Sequence, residues 1–137
     1  MEKNWRLPKD ENGKTIFWHD LTYANQRIGT DTNPYEILMI VSGTTLEIRE
    51  MDCKELEWKK DFHVGGFFGH VSNQKQQRWD IQSNPNNPRI RIRLVKCKYQ
   101  EFDKKTRKWV DAYEWRDKNG IKYYLSNKPV KFYDYNF

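Results

Sequence analysis

The sequence predicts an all-β fold, with at most one short helix, built as a single antiparallel sheet closing into a small barrel or sandwich. Three observations predict it: short runs in which apolar and polar residues alternate, polar turn signals between those runs, and no stretch of sustained helical periodicity. A chain of 137 residues suits one domain, 1–137, with one core. Hydrophobic residues make up only 36% against 32% charged, a balance that leans toward weak order. Six Trp, eight Tyr and seven Phe reverse that, because each ring buries a large apolar area.

Taken in order, Met1 to Lys14 is polar apart from Trp5 and Leu7 and reads as an arm or an edge strand, with Asn12-Gly13 a turn signal before Ile16-Phe17-Trp18. Tyr23 to Tyr35, rich in amides and hydroxyls, reads as a loop carried by the sheet. Glu36 to Glu50 is the clearest hairpin, broken at Ser42-Gly43. Its first run, apolar on both faces, suits a strand covered on each side. Cys53 to Phe62 allows one helical turn or a short strand. Glycines flank Phe67-Phe68, which marks a bend. Gln76 to Gln82 alternates as a half-buried strand, and Ser83 to Pro88 is a turn.

Arg89 to Tyr99 is the second firm strand, with Ile90, Ile92 and Leu94 on one face and Arg89, Arg91 and Arg93 on the other. Its alternation changes phase at Leu94-Val95, where a β-bulge or sharp bend is expected. A polar loop at Asp103 to Arg107 leads into a return strand through Trp109, Asp111, Tyr113 and Trp115. Asp117-Lys118-Asn119-Gly120 turns the chain into Ile121 to Leu125. Val130 to Phe137 is read as a last strand, which brings the total to about seven.

Charge narrows the partners. An excess of six positive charges and a pI near 9.3 concentrate anions, including nucleic acids, nucleotides and acidic protein faces. Cys53 and Cys97 are too few for a disulfide framework and lack zinc-site spacing, so free thiols in a reducing cytoplasm are expected. No apolar run is long enough to span a bilayer. His19, His63 and His70, with Asp31, Asp61 and Asp80, match no metal or hydrolase motif. Catalytic residues, metal ligands and cofactors are therefore not assigned, and binding ranks above catalysis.

Two constellations point to an anionic ligand. Arg89, Arg91 and Arg93 form a comb with teeth roughly 7 Å apart, near the spacing of successive phosphates. Its bland reading is a solvated face neutralised by neighbouring carboxylates. Phe68, Asn73, Gln74, Arg78 and Trp79 combine rings that stack on bases with groups that read base edges. The competing reading makes the rings core and leaves the amides on a wet loop. Arg27, from the Tyr23 to Tyr35 segment, completes the set. The expected ligand is a nucleotide or nucleic acid, and a small nucleotide would favour a pocket shared within a homo-oligomer. The alternative is a protein-binding inhibitor docking an aromatic patch of Tyr133, Tyr135 and Phe137.

Thr30-Asp31-Thr32-Asn33 ahead of the hairpin and the terminal Lys131-Phe132-Tyr133-Asp134-Tyr135-Asn136-Phe137 resemble segments of small tailed-phage and prophage accessory proteins. Those proteins commonly end in a Y-Y-D-Y-x-F type sequence and carry T-D-R-H where this chain has Thr30-Asp31-Thr32-Asn33. The resemblance implies an accessory protein in a bacterial host cytoplasm. Such proteins often act against host defences by sequestering a signalling nucleotide, binding a defence protein or engaging nucleic acid.

Overall fold

The computed structural model describes residues 22–65 and 68–136. Among the described residues, ten strands and one 3-10 turn, Gln74–Gln76, make up the regular structure, and no α-helix occurs. No described helix is long and apolar enough to cross a membrane. The expected arm at 1–14, the Ile16-Phe17-Trp18 run and His19 lie outside the described residues.

Six strands form the main sheet: β1 (Tyr23–Ile28), β2 (Asp31–Ser42), β3 (Thr45–Glu50), β8 (Arg89–Asp103), β9 (Lys108–Arg116) and β10 (Lys122–Ser126). Every pairing is antiparallel, and the order β1-β10-β9-β8-β3-β2 returns to β1, so the ladder closes on itself. Two small sheets flank it, β4 (Asp52–Glu55) with β7 (Trp79–Gln82) and β5 (Phe62–Gly65) with β6 (Phe68–Val71).

The inward positions carry the core. Ala24, Tyr35, Leu46, Ile48, Ile92, Trp115, Tyr123 and Leu125 pack together, with Ile37, Ile90 and Leu94 against them. Alternation places them there, since register partners across a ladder share a face: Ile92 opposes Leu46, Ile90 opposes Ile48, and Leu94 opposes Trp115. The Gln26 amide lies among these core residues. Gln26 donates to the Tyr123 hydroxyl at 2.9 Å and the Tyr35 hydroxyl at 3.3 Å, and it accepts from Asn33 at 3.1 Å. Tyr123 in turn donates to Asp117 at 2.9 Å. Burial raises the pKa of both tyrosines, so they remain neutral hydrogen-bonding groups.

Several expectations change. Tyr23 to Tyr35 is a hairpin rather than a loop, with β1 and β2 joined through Gly29-Thr30 at a positive Gly29 φ of 56°. Its amides hid a strand because they are satisfied inside the fold, and amide-rich composition normally signals loops. The far end of β2 is not covered on both faces: Met39, Ile40 and Val41 are exposed. β2 leaves β1 after Glu36, and two register shifts carry it past the core. The Cys53 to Phe62 segment opens as strand β4. The expected strand over Gln76 to Gln82 begins only at Trp79. The irregularity in β8 falls between Lys96 and Gln100, where Cys97, Lys98 and Tyr99 oppose Ala112 alone.

Val130 to Asn136, the described part of the expected last strand, is a strap and not a strand. It forms one bridge, Thr32 with Phe132, and side-chain amides hold the rest. Asn25 accepts from Val130 N–H at 2.9 Å and donates to the Lys128 carbonyl at 3.2 Å. Gln77 both accepts from and donates to the Tyr133 backbone at 2.8 and 2.9 Å. Gln74 accepts from Tyr135 N–H at 2.9 Å, and Asn136 clasps the Val71 backbone at 2.6 and 2.8 Å. Asp31 and Asn33 bind the Asp134 N–H and the Lys131 ammonium. The two segments that carry the phage resemblance are thereby brought into contact.

Candidate nucleic-acid interface

Alternation sends Arg89, Arg91 and Arg93 to the outer face of β8, opposite the core residues Ile90 and Ile92. Closure of the sheet then adds partners from other strands. Arg93 is in register with Arg116 on β9, Arg116 with Lys122 on β10, and Lys122 with Arg27 on β1. Four cations thus stand in one row across four strands, about 14 Å from end to end at the usual strand spacing. With Arg89 and Arg91 running along β8, they form an L-shaped basic surface.

Two carboxylates interrupt it. Glu47 lies between two guanidinium groups, 3.0 Å from Arg89 Nη1 and 3.7 Å from Arg91 Nε, whose side chains are still 63% and 49% exposed. Glu114 is buried, and its Oε2 accepts from Arg116 Nη2 at 2.6 Å and Nε at 3.0 Å. Its Oε1 accepts from Tyr99 at 2.8 Å and lies 2.9 Å from Lys122 Nζ. Burial pushes this carboxyl upward, but the donors Lys122, Arg116 and Tyr99 outweigh burial and hold it at about 2. The same hydrogen bond pushes the Tyr99 phenol up to about 12. Arg93 has no carboxylate partner among the described residues, and Arg27 bonds only to the Gly29 carbonyl and the Thr32 hydroxyl.

Six cations against two carboxylates leave an excess of four positive charges on this face. Arg49 shows the contrast. It is half-buried and paired with Glu36 at 2.5 Å, with a side chain only 12% exposed, and adds little to the basic surface. Aromatic rings border the row: Tyr124, two residues beyond Lys122 on the same face, is 51% exposed with the Lys122 ammonium 4.9 Å from its centroid, and Tyr99 is 55% exposed. Where β9 and β10 part, an open cleft of about 990 Å³ is lined by Tyr99, Tyr113, Glu114, Lys122, Tyr124 and their neighbours.

The second predicted constellation lies elsewhere. Trp79 and Arg78 belong to the β4/β7 sheet and its approach. The Trp79 indole N–H donates to Gln77 at 2.7 Å, and Lys131 sits 5.3 Å from the ring centroid. The amide of Asn73 holds the 59–61 backbone, accepting from Asp61 N–H at 2.7 Å and donating to the Lys59 carbonyl at 2.8 Å, while Gln74 holds the strap. These amides read the protein's own backbone. The Phe68 side chain lies outside the described residues, as does Phe137. Of the strap aromatics, Tyr135 packs on Trp58 and Tyr133 at 5.5 and 4.9 Å and donates to Glu55, while Tyr133 remains half exposed.

Thus Arg27 joins the three β8 arginines, whereas Arg78, Trp79, Asn73 and Gln74 do not. Arg116, Lys122, Tyr124 and Tyr99 escape the sequence reading. Arg116 directly precedes the Asp117 to Gly120 turn and Lys122 follows it by two residues, which is the one sequence signal that places them side by side. His63 and His70 are register partners in the β5/β6 hairpin, and no group of metal-ligating side chains occurs among the described residues. No family model, curated protein or solved structure matches the chain.

Proposed function

We propose that this protein binds single-stranded nucleic acid through its phosphate backbone, along the outer face of β8, β9, β10 and β1. The observation that carries this reading is the row Arg93, Arg116, Lys122 and Arg27, set in register by the closed sheet and extended along β8 by Arg91 and Arg89. A row of separated, solvent-reachable cations favours an extended anion over a single nucleotide, which needs a convergent pocket. Exposed Tyr124 and Tyr99 beside the row are the ring type on which successive bases stack without sequence preference. Glu47 and Glu114 keep the cations spaced and ordered without cancelling their charge.

The test is fluorescence anisotropy with a labelled oligothymidylate across a salt series, using the full chain. Binding is expected at low salt with a log–log slope of roughly −3, about 0.7 per phosphate contact. Arg93→Ala is expected to weaken it about fivefold and to flatten the slope by about 0.7, whereas Lys118→Ala, in an outer turn, leaves both unchanged. No binding at low salt, or equal losses in the two variants, overturns the proposal.

A further inference from the structure

Among the described residues, the strand β9 leaves one edge open. It pairs with β8 along its length but with β10 only at Arg116↔Lys122 and Trp115↔Tyr123, and no described strand pairs with that second edge from Lys108 to Glu114. The direction of its free groups follows from register. Leu94 gives its N–H to the Thr44 carbonyl at 2.9 Å, on the β3 side, so its partner Trp115 turns its N–H and C=O away from β8. With a period of two, Tyr113, Asp111 and Trp109 present theirs to the open edge as well. Such a row of unpaired donors and acceptors is a template for another strand.

We infer that the Lys108 to Glu114 edge of β9 pairs antiparallel with the same edge of a second copy of this chain, about a twofold axis at Asp111. The sequence of the edge, Lys-Trp-Val-Asp-Ala-Tyr-Glu, is complementary to its own reverse. In that register Lys108 meets Glu114, Trp109 meets Tyr113 and Val110 meets Ala112, each pair formed twice. Opposite charges and paired aromatics are favourable cross-strand neighbours. Shifting the axis to Val110 or Ala112 places Asp111 opposite Trp109 or Tyr113 and loses both matches.

The like pair at the axis is compensated within each copy, because Asp111 is 3.3 Å from the Lys96 ammonium and accepts from Gln100 at 3.3 Å. The three outward residues give about six main-chain hydrogen bonds across the axis. Trp109 is 65% exposed and Tyr113 and Phe102 are at least 43% exposed, so the hairpin offers apolar area for burial against the new ladder. A twofold interface of this kind is isologous and closes at two copies.

Sedimentation velocity over a concentration series tests this, with hydrogen exchange as a second readout. A monomer–dimer equilibrium is expected, with the amides of Trp109, Asp111 and Tyr113 slowing as concentration rises. Tyr113→Pro removes an outward donor that the β8 ladder does not use, and is expected to sediment as monomer with an unchanged far-ultraviolet spectrum. Trp109→Lys, at an exposed site, is expected to weaken the dimer about fivefold through its two lost aromatic pairs, and decides the question if the proline variant does not fold. A chain that is monomeric at every concentration, or a dimer that Trp109→Lys leaves intact, overturns the inference.

Discussion

Replacing Glu114 with Gln is expected to move stability and ligand affinity in opposite directions. Four donor atoms converge on this buried carboxylate from Arg116, Lys122 and Tyr99, and its pKa is held at about 2 against an ordinary 4.5. A depression of that size corresponds to about 3 kcal/mol of folding free energy when counted in full. The Arg116 and Lys122 side chains are 40% and 34% exposed, so solvent screening reduces the figure to about 2 kcal/mol.

Because the folded pKa is depressed, this stability is present in full above pH 4.5 and is lost as pH falls toward 2. Denaturant titrations of the wild type and Glu114→Gln should therefore differ by about 2 kcal/mol at pH 7 and converge in acid. On the outer face the same change removes one negative charge from beside the row. At roughly 7 Å in a water-like dielectric this favours polyanion binding by about threefold. A stability difference that is the same at pH 3 and pH 7, or weaker oligonucleotide binding by the variant, would refute the reasoning.

Two further outcomes follow from the strap and a turn. Asn25→Ala leaves the Val130 N–H and the Lys128 carbonyl without the partner they share. A loss of about 1–2 kcal/mol is expected in thermal melts, with faster tryptic cleavage at Lys131 and an unchanged β spectrum. Gly120 sits at a φ of 80° with open space where a Cβ would project, so Gly120→Ala should destabilise by about 1 kcal/mol from backbone strain alone. Denaturant midpoints read that change directly.

How far the sequence could be read differs from element to element. Arg89 to Leu94 was legible because one strand face is core and the other is water, so its alternation is clean. The Asp117 to Gly120 turn was legible because Asp117 accepts from Asn119 and Ile121 N–H at 2.8 and 3.0 Å, a local pattern written in five consecutive residues. Strand β1 was not legible. Asn25 and Gln26 are buried yet polar, and their partners Val130, Tyr35 and Tyr123 are remote in sequence. The strap failed for the reverse reason, since Tyr133 and Tyr135 look like strand residues while the Gln77 and Gln74 amides take up their backbone groups.

By itself the sequence determined the all-β class, the excess of positive charge and the outward comb of Arg89, Arg91 and Arg93, because each depends on local alternation or on bulk composition. Only the tertiary structure decided that Arg27, Arg116 and Lys122 complete a row with Arg93, that Glu47 and Glu114 sit among them, and that the Asn73, Gln74 and Gln77 amides hydrogen-bond the chain's own backbone. Those outcomes depend on which strands become neighbours and in what register, and register is set by burial and closure across the whole sheet.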